Sequence, residues 1–87
     1  MKRNILFHTK SFDDYLYWQS NDLTIFEKIN ELLKDINRDP YRGLGKPEPL
    51  KNEYSGYWSR RINLEHRLIY KITDDEIIIA SCRYHYQ

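Results

Sequence analysis

The sequence predicts an α+β domain: two N-terminal helices packed on one face of a small, mostly antiparallel β-sheet, in the order β-α-α-β-β-β. Three observations carry this. One apolar stripe at helical spacing runs from Ile25 to Ile36. Three strand candidates follow residue 56, separated by connectors of hairpin length. The last of them contains the apolar run Ile77-Ile78-Ile79-Ala80-Ser81-Cys82. With 87 residues, there is material for one core and not for two, so residues 1–87 read as one domain.

Each element has its own local reason. Asn4 to Phe7 is a short apolar run that fits a first strand. Ser11 offers an N-cap and Asp13 and Asp14 suit a first helical turn, where the helix dipole favours acidic groups. With Phe12, Tyr15, Leu16 and Gln19 at helical spacing, this predicts a helix over 11–20. Asn21-Asp22 interrupts it and can cap a second helix. There Ile25, Ile29, Leu32, Leu33 and Ile36 form the apolar stripe, and Glu27, Lys28, Glu31, Lys34 and Asp35 the solvated side. Asp39-Pro40 ends it, because the residue before proline is driven out of the helical region. Residues 41–55 read as an ordered loop in which Pro47 and Pro49 hold the chain extended. Strands are expected over 57–62, 66–72 and 76–83. The last, apolar on both faces, is expected to be a central strand covered on both sides.

Composition excludes several classes. Nine Leu, ten Ile and three Phe, with no Val, make about a quarter of the chain strongly apolar, above the roughly one-fifth typical of disordered chains. No apolar run approaches the roughly 18 residues that span a bilayer, and the N-terminal apolar segment is too short for a signal peptide, so no membrane partner is expected. A single cysteine, Cys82, forms no internal disulfide framework and fits a reducing cytoplasm; it reads as a small core residue. His8, His66 and His85 form no ligand set, so neither a metal nor another cofactor is expected. A net charge of +1 speaks against a bulk polycation. Any nucleic-acid surface must be local.

Such a surface is available. Strand alternation puts Tyr57, Ser59 and Arg61 on one face, opposite Trp58, Arg60 and Ile62. The helices cover one face, which leaves the other for polar chemistry. Lys46, Lys51, Arg60, Arg61, Arg67 and Arg83 fall in this half of the chain, interleaved with Tyr54, Tyr57, Trp58, Tyr84 and Tyr86. Cations for phosphates and rings for bases suit single-stranded RNA. Singly, each residue also has a plainer reading: strand arginines as a solvated face, Trp58 and Tyr70 as core, Glu48 as an exposed loop carboxylate, His85 as a frayed end. Glu48 nevertheless sits between two prolines that restrict its backbone, as a positioned catalytic group requires.

Several segments together resemble the YoeB-type toxins of the RelE/ParE superfamily, the toxin halves of bacterial type II toxin–antitoxin pairs. They are Asp13-Asp14-Tyr15-Leu16-Tyr17-Trp18-Gln19, Lys28-Ile29-Asn30-Glu31-Leu32, Gly45-Lys46-Pro47-Glu48-Pro49-Leu50-Lys51, Trp58-Ser59-Arg60-Arg61-Ile62, Glu65-His66-Arg67-Leu68 and Cys82-Arg83-Tyr84-His85-Tyr86. The resemblance implies a microbial-ribonuclease-like fold and a metal-independent mRNA endonuclease working in the ribosomal A site of the bacterial cytoplasm. The RNA's 2′-hydroxyl would attack the adjacent phosphodiester, leaving a 2′,3′-cyclic phosphate and a 5′-hydroxyl. The family's base falls on Glu48, its transition-state arginine on Arg67 and its general acid on His85. Its C-terminal tyrosine falls on Tyr86, and supporting cations fall on Lys51 and Arg61. Here Gln87 follows Tyr86, where the family pattern ends at His-Tyr, so the terminal carboxylate is moved by one residue.

The implied partners are the 70S ribosome with its mRNA and a cognate YefM-like antitoxin whose acidic segment would cover the basic face. A homodimer is compatible with the family. The competing reading is a non-catalytic toxin, either a ParE-like gyrase poison or an RNA binder. Glu48, Arg67 and His85 occurring together favour the nuclease.

Overall fold

The second helix is the element that the periodicity describes best. In the structure, a computed structural model that describes residues 2–84, α2 spans Leu23–Arg38 and buries Ile29, Leu32, Leu33 and Ile36. Extended Asp22 caps it, Oδ1 accepting the N–H groups of Thr24 (3.1 Å) and Ile25 (3.2 Å). It ends at Asp39, whose N–H donates to the Asp35 carbonyl before Pro40. One member of the expected solvated side is turned inward: the Asp35 side chain is only 13% exposed and is ion-paired with both Arg38 and Arg60.

The first helix, α1 at Thr9–Asn21, starts two residues before Ser11, and its N-cap is His8, which makes no side-chain cap. Ser11 is instead buried one turn in and donates to the Ile79 carbonyl at 2.6 Å. Asp14 accepts the Cys82 N–H at 3.0 Å and Lys10 Nζ at 2.7 Å, and Trp18 Nε1 donates to the Cys82 carbonyl at 2.9 Å. The inward stripe of α1 is therefore Ser11, Asp14 and Trp18, while Phe12 and Leu16 are exposed. Backbone groups of residues 79–82 must find partners where the strand ladder runs out, and this stripe supplies them.

The strands are β1 (Asn4–Phe7), β2 (Glu48–Pro49), β3 (Trp58–Arg61), β4 (Arg67–Ile72) and β5 (Glu76–Ser81). They form one sheet in the order β1-β5-β4-β3-β2, antiparallel except for the parallel pair β1–β5. The two-residue β2 lies inside the segment expected to be loop. Tyr57, Ile62, His66, Cys82 and Arg83, expected at the strand ends, fall just outside the observed strands. The helices cover the face of Leu68, Tyr70, Ile77 and Ile79, all at 3% exposure or less, and this is the main core, joined by Cys82. Covering helices on one side only leave Ile78 and Ala80 half-buried, so β5 is an interior strand but not a doubly covered one, and β4 takes the middle of the sheet. Among the described residues no helix is long and apolar enough to cross a membrane.

Candidate active site

The face away from the helices is ordered by strand register. Glu48 of β2 pairs with Ser59 of β3, Ser59 with Ile69 of β4, and Arg61 with Arg67. Alternation puts Glu48, Ser59, Arg61, Arg67 and Ile69 on this one face. Two strand spacings and two residues along the strand separate Glu48 from Arg67, roughly 12 Å between their Cα atoms. That is room for a phosphodiester between a carboxylate and a guanidinium. Ile69 and Leu50 are buried yet lie outside the main core cluster, giving the polar face an apolar floor.

Glu48 is exposed and lines a shallow depression of about 340 Å³ with Pro49, Leu50, Lys51 and Asn52. A wider groove of about 750 Å³ lies at the opposite edge of the sheet, beside β1 and α2. Its lining, including Ile5, Phe7, Tyr15 and Leu33, contains no carboxylate or histidine. Of the two hollows, only the one at Glu48 is lined by a carboxylate. Lys46 and Lys51 flank Glu48, both exposed, and Lys46 has a left-handed backbone (φ 51°). Arg67 sits at the β3–β4 turn, where its Nη1 donates to the carbonyls of Asn63 (2.8 Å) and His66 (3.1 Å). Among the described residues no acceptor engages its Nε or Nη2. The free side of the fork can meet an anion.

Arg60 does not belong to that surface. Its side chain is fully buried on the helix-covered face. Nε donates to the Tyr70 hydroxyl (3.2 Å), Nη1 to Asp35 Oδ2 and the Leu44 carbonyl (3.1 Å), and Nη2 to the carbonyls of Asp39 (2.6 Å) and Arg42 (3.2 Å). All five donors are spent, so the expected phosphate-binding role is corrected to a structural one. Partial burial pushes the Asp35 carboxyl up, but hydrogen bonds from Arg38, the Leu44 N–H and Arg60 outweigh it and hold the carboxyl at about 2. Burial raises Tyr70, which stays protonated and donates to the Pro40 carbonyl at 2.7 Å.

This cluster ties residues 39–44 to α2 and the sheet. The Gly45 carbonyl then accepts the Arg61 N–H at 2.6 Å. Gly45 has φ 78°, and a Cβ there would stand 2.9 Å from the Arg61 carbonyl oxygen, so glycine is required both for conformation and for space. Three residues on, Glu48 enters β2. Asp35, Tyr70 and Gly45 were missed as site-shaping residues, because their partners are distant in sequence.

Arg83 is half-buried, its guanidinium 3.5 Å from the centre of the Tyr17 ring and 4.7 Å from that of Tyr84. This arginine is stacked between rings instead of standing free as a phosphate cation. Tyr84 is exposed with φ 68°. His85 and Tyr86 lie outside the described residues. Cys82 is fully buried, its thiol pushed up to about 12 by burial and then by Asp14, as fits a core residue. Among the described residues no three His, Cys, Asp or Glu side chains are placed to hold a metal ion.

The family described as YoeB-like toxin of bacterial type II toxin–antitoxin system matches residues 7–86. Toxin YoeB of Escherichia coli (strain K12) is 60% identical over 82 residues, which is 94% of this chain and 98% of that protein. The structure of the YoeB dimer from Staphylococcus aureus superposes with a TM-score of 0.92 at 54% identity, covering 99% of this chain and 100% of that one. The toxin in the heterotetrameric YoeB–YefM toxin–antitoxin complex from Staphylococcus aureus does so at 0.90, with the same identity and coverage. With identity this high along nearly its whole length, the chain belongs to the YoeB-like toxins of bacterial type II toxin–antitoxin systems.

Proposed function

We propose that this toxin is an endoribonuclease that cuts mRNA in the A site of the 70S ribosome and is neutralised by a YefM-like antitoxin. The observation that carries the reading is the shared face of Glu48, Arg61 and Arg67, with Lys46 and Lys51 at its margin. Glu48 takes the proton of the 2′-hydroxyl. The 2′-oxygen bonds to phosphorus and the bond from phosphorus to the 5′-oxygen breaks. His85 gives its proton to that departing oxygen, leaving a 2′,3′-cyclic phosphate and a 5′-hydroxyl. Arg67 faces the charge that builds up on the phosphorane, since a guanidinium stays charged and presents paired donors. Lys46, Lys51 and Arg61 hold the flanking phosphates, and Tyr84 and Tyr86 offer rings to bases.

An acidic segment of the antitoxin would neutralise Arg61 and Arg67 and cover the same face, in keeping with the YefM-bound relative. Self-association, as in the dimeric relative, is compatible with the exposed Phe12 and Leu16.

The test is cleavage of a defined message on programmed ribosomes, with 5′ ends mapped by primer extension. Wild type should give one new end within the A-site codon. Glu48→Gln should slow cleavage by about 10²–10⁴-fold, and Arg67→Ala by about 10²–10³-fold. An intact message under blocked translation, with both variants as potent as wild type, would mean inhibition by binding alone.

A further inference from the structure

We infer that His66 is a positioning residue that clips the start of the C-terminal tail, at Tyr84, against the first residue of β4, and that the proposed proton donation by the tail depends on this clip; this rests on the nuclease reading above. The His66 side chain is only 7% exposed, a burial that an apolar residue could satisfy. Its Nδ1 accepts the backbone N–H of Tyr84 at 2.8 Å, so the ring's proton is on Nε2, which lies 3.5 Å from Glu65 Oε1. The other end of the Tyr84 residue is held too: its carbonyl accepts the N–H of Arg67 at 3.0 Å. His66, just before β4, and Arg67, its first residue, therefore grip both backbone polar groups of a single tail residue.

That residue needs gripping. Tyr84 has φ 68°, a left-handed conformation that a non-glycine residue rarely adopts and that persists only where its surroundings impose it. The His66 ring is in turn fixed by Trp18 (edge-on, 4.7 Å between centres), and Trp18 is fixed by its bond to the Cys82 carbonyl. The His66 N–H donates to Asn63 Oδ1 at 2.7 Å. Arg83 is held by its stack on Tyr17. The clip joins Arg67, whose guanidinium serves the phosphate, to the residue directly before His85. The two residues at the entry to β4 set both.

The experiment compares His66→Leu, which removes the acceptor, with His66→Asn, whose Oδ1 can replace Nδ1, in single-turnover cleavage on programmed ribosomes. His66→Leu should be slower by about 10–100-fold, as for a catalytic group misplaced by about an ångström, with ribosome affinity unchanged. His66→Asn should restore most of the rate. A message with a bridging 5′-sulfur at the cut site provides a leaving group that needs no proton, and on it the His66→Leu deficit should shrink, as should that of His85→Gln. A deficit equally large on the sulfur substrate, or equal in the Asn and Leu variants, overturns the inference.

Hydrogen exchange of the Tyr84 amide gives a readout independent of cleavage: slow in wild type and His66→Asn, fast in His66→Leu. A wild type that protects this amide but leaves mRNA intact would refute the nuclease reading and leave the clip standing. A wild type that cuts mRNA with an unprotected Tyr84 amide would refute the clip alone. Should His66→Leu fail to fold, His66→Phe, which keeps a ring against Trp18 but offers no acceptor, should show the same recovery on the sulfur substrate; no recovery there counts against the clip.

Discussion

Neighbouring arginines with opposite fates make the sharpest test of this structure. Arg60→Met would remove a fully buried guanidinium whose five N–H groups satisfy Asp35, Tyr70 and the carbonyls of Asp39, Arg42 and Leu44. Asp35, only 13% exposed, would keep the exposed Arg38 and the Leu44 N–H but lose its buried partner. Removing one member of a buried pair costs about 3–5 kcal/mol. In a domain of this size each kcal/mol moves the melting temperature by about 4–8 °C, so Arg60→Met should melt at least about 12 °C below wild type. Arg61→Met, one residue along on an exposed site, should stay within about 0.5 kcal/mol of wild type and instead weaken binding to ribosome-bound RNA. Circular dichroism melts with urea titrations measure the first pair of effects, and a binding titration the third. A loss below about 1 kcal/mol for Arg60→Met would refute the assignment of Arg60 to the interior. The double variant Asp35→Leu/Arg60→Met should recover part of the loss, because buried ion pairs are often replaceable by apolar groups of similar volume.

Other outcomes follow from the same geometry. Asp35 is held at about 2, below its ordinary 3.8, so its stabilising contribution is complete above the unfolded value and is lost as pH falls from about 4 to about 2; acid titration should show Asp35→Asn flattening this limb. Gly45→Ala puts a Cβ into the Arg61 backbone at a left-handed position and should cost about 1–3 kcal/mol by urea titration. Asp22→Ala removes the acceptor for two N–H groups at the start of α2 and should cost about 1 kcal/mol in the same assay. The buried, protonated Cys82 should resist thiol reagents in the native protein and react only on unfolding, read by the rate of labelling with and without denaturant.

What the sequence revealed divides along the range of the interactions. The stripe of α2 and its Asp22 cap are local patterns and are found where the pattern puts them. The shared face of Glu48, Arg61 and Arg67 follows from period-two alternation once the strands pair. The same alternation held the clue to Arg60, which has the parity of Trp58 and Ile62, but its charge suggested solvent. Only Asp35, 25 residues away, and the carbonyls of the following loop make its burial tolerable. Ser11 and Asp14 read as ordinary first-turn residues because their partners, Ile79 and Cys82, are 68 positions on. The strand at Glu48 was hidden for a similar reason: two residues carry no periodicity, and the pairing depends on Gly45 meeting Arg61.

The parallel pairing of β1 with β5 has a consequence for how the molecule comes into being. Ile5 finds its neighbour only at Ile77, so a nascent chain that has not yet delivered β5 offers its first strand nowhere to go. The β3–β4–β5 meander can form from nearby residues, whereas closure of the β1 side waits for almost the entire chain. Closure of the sheet is thereby the last local event that the topology permits, because its two parallel neighbours lie at opposite ends of the described chain.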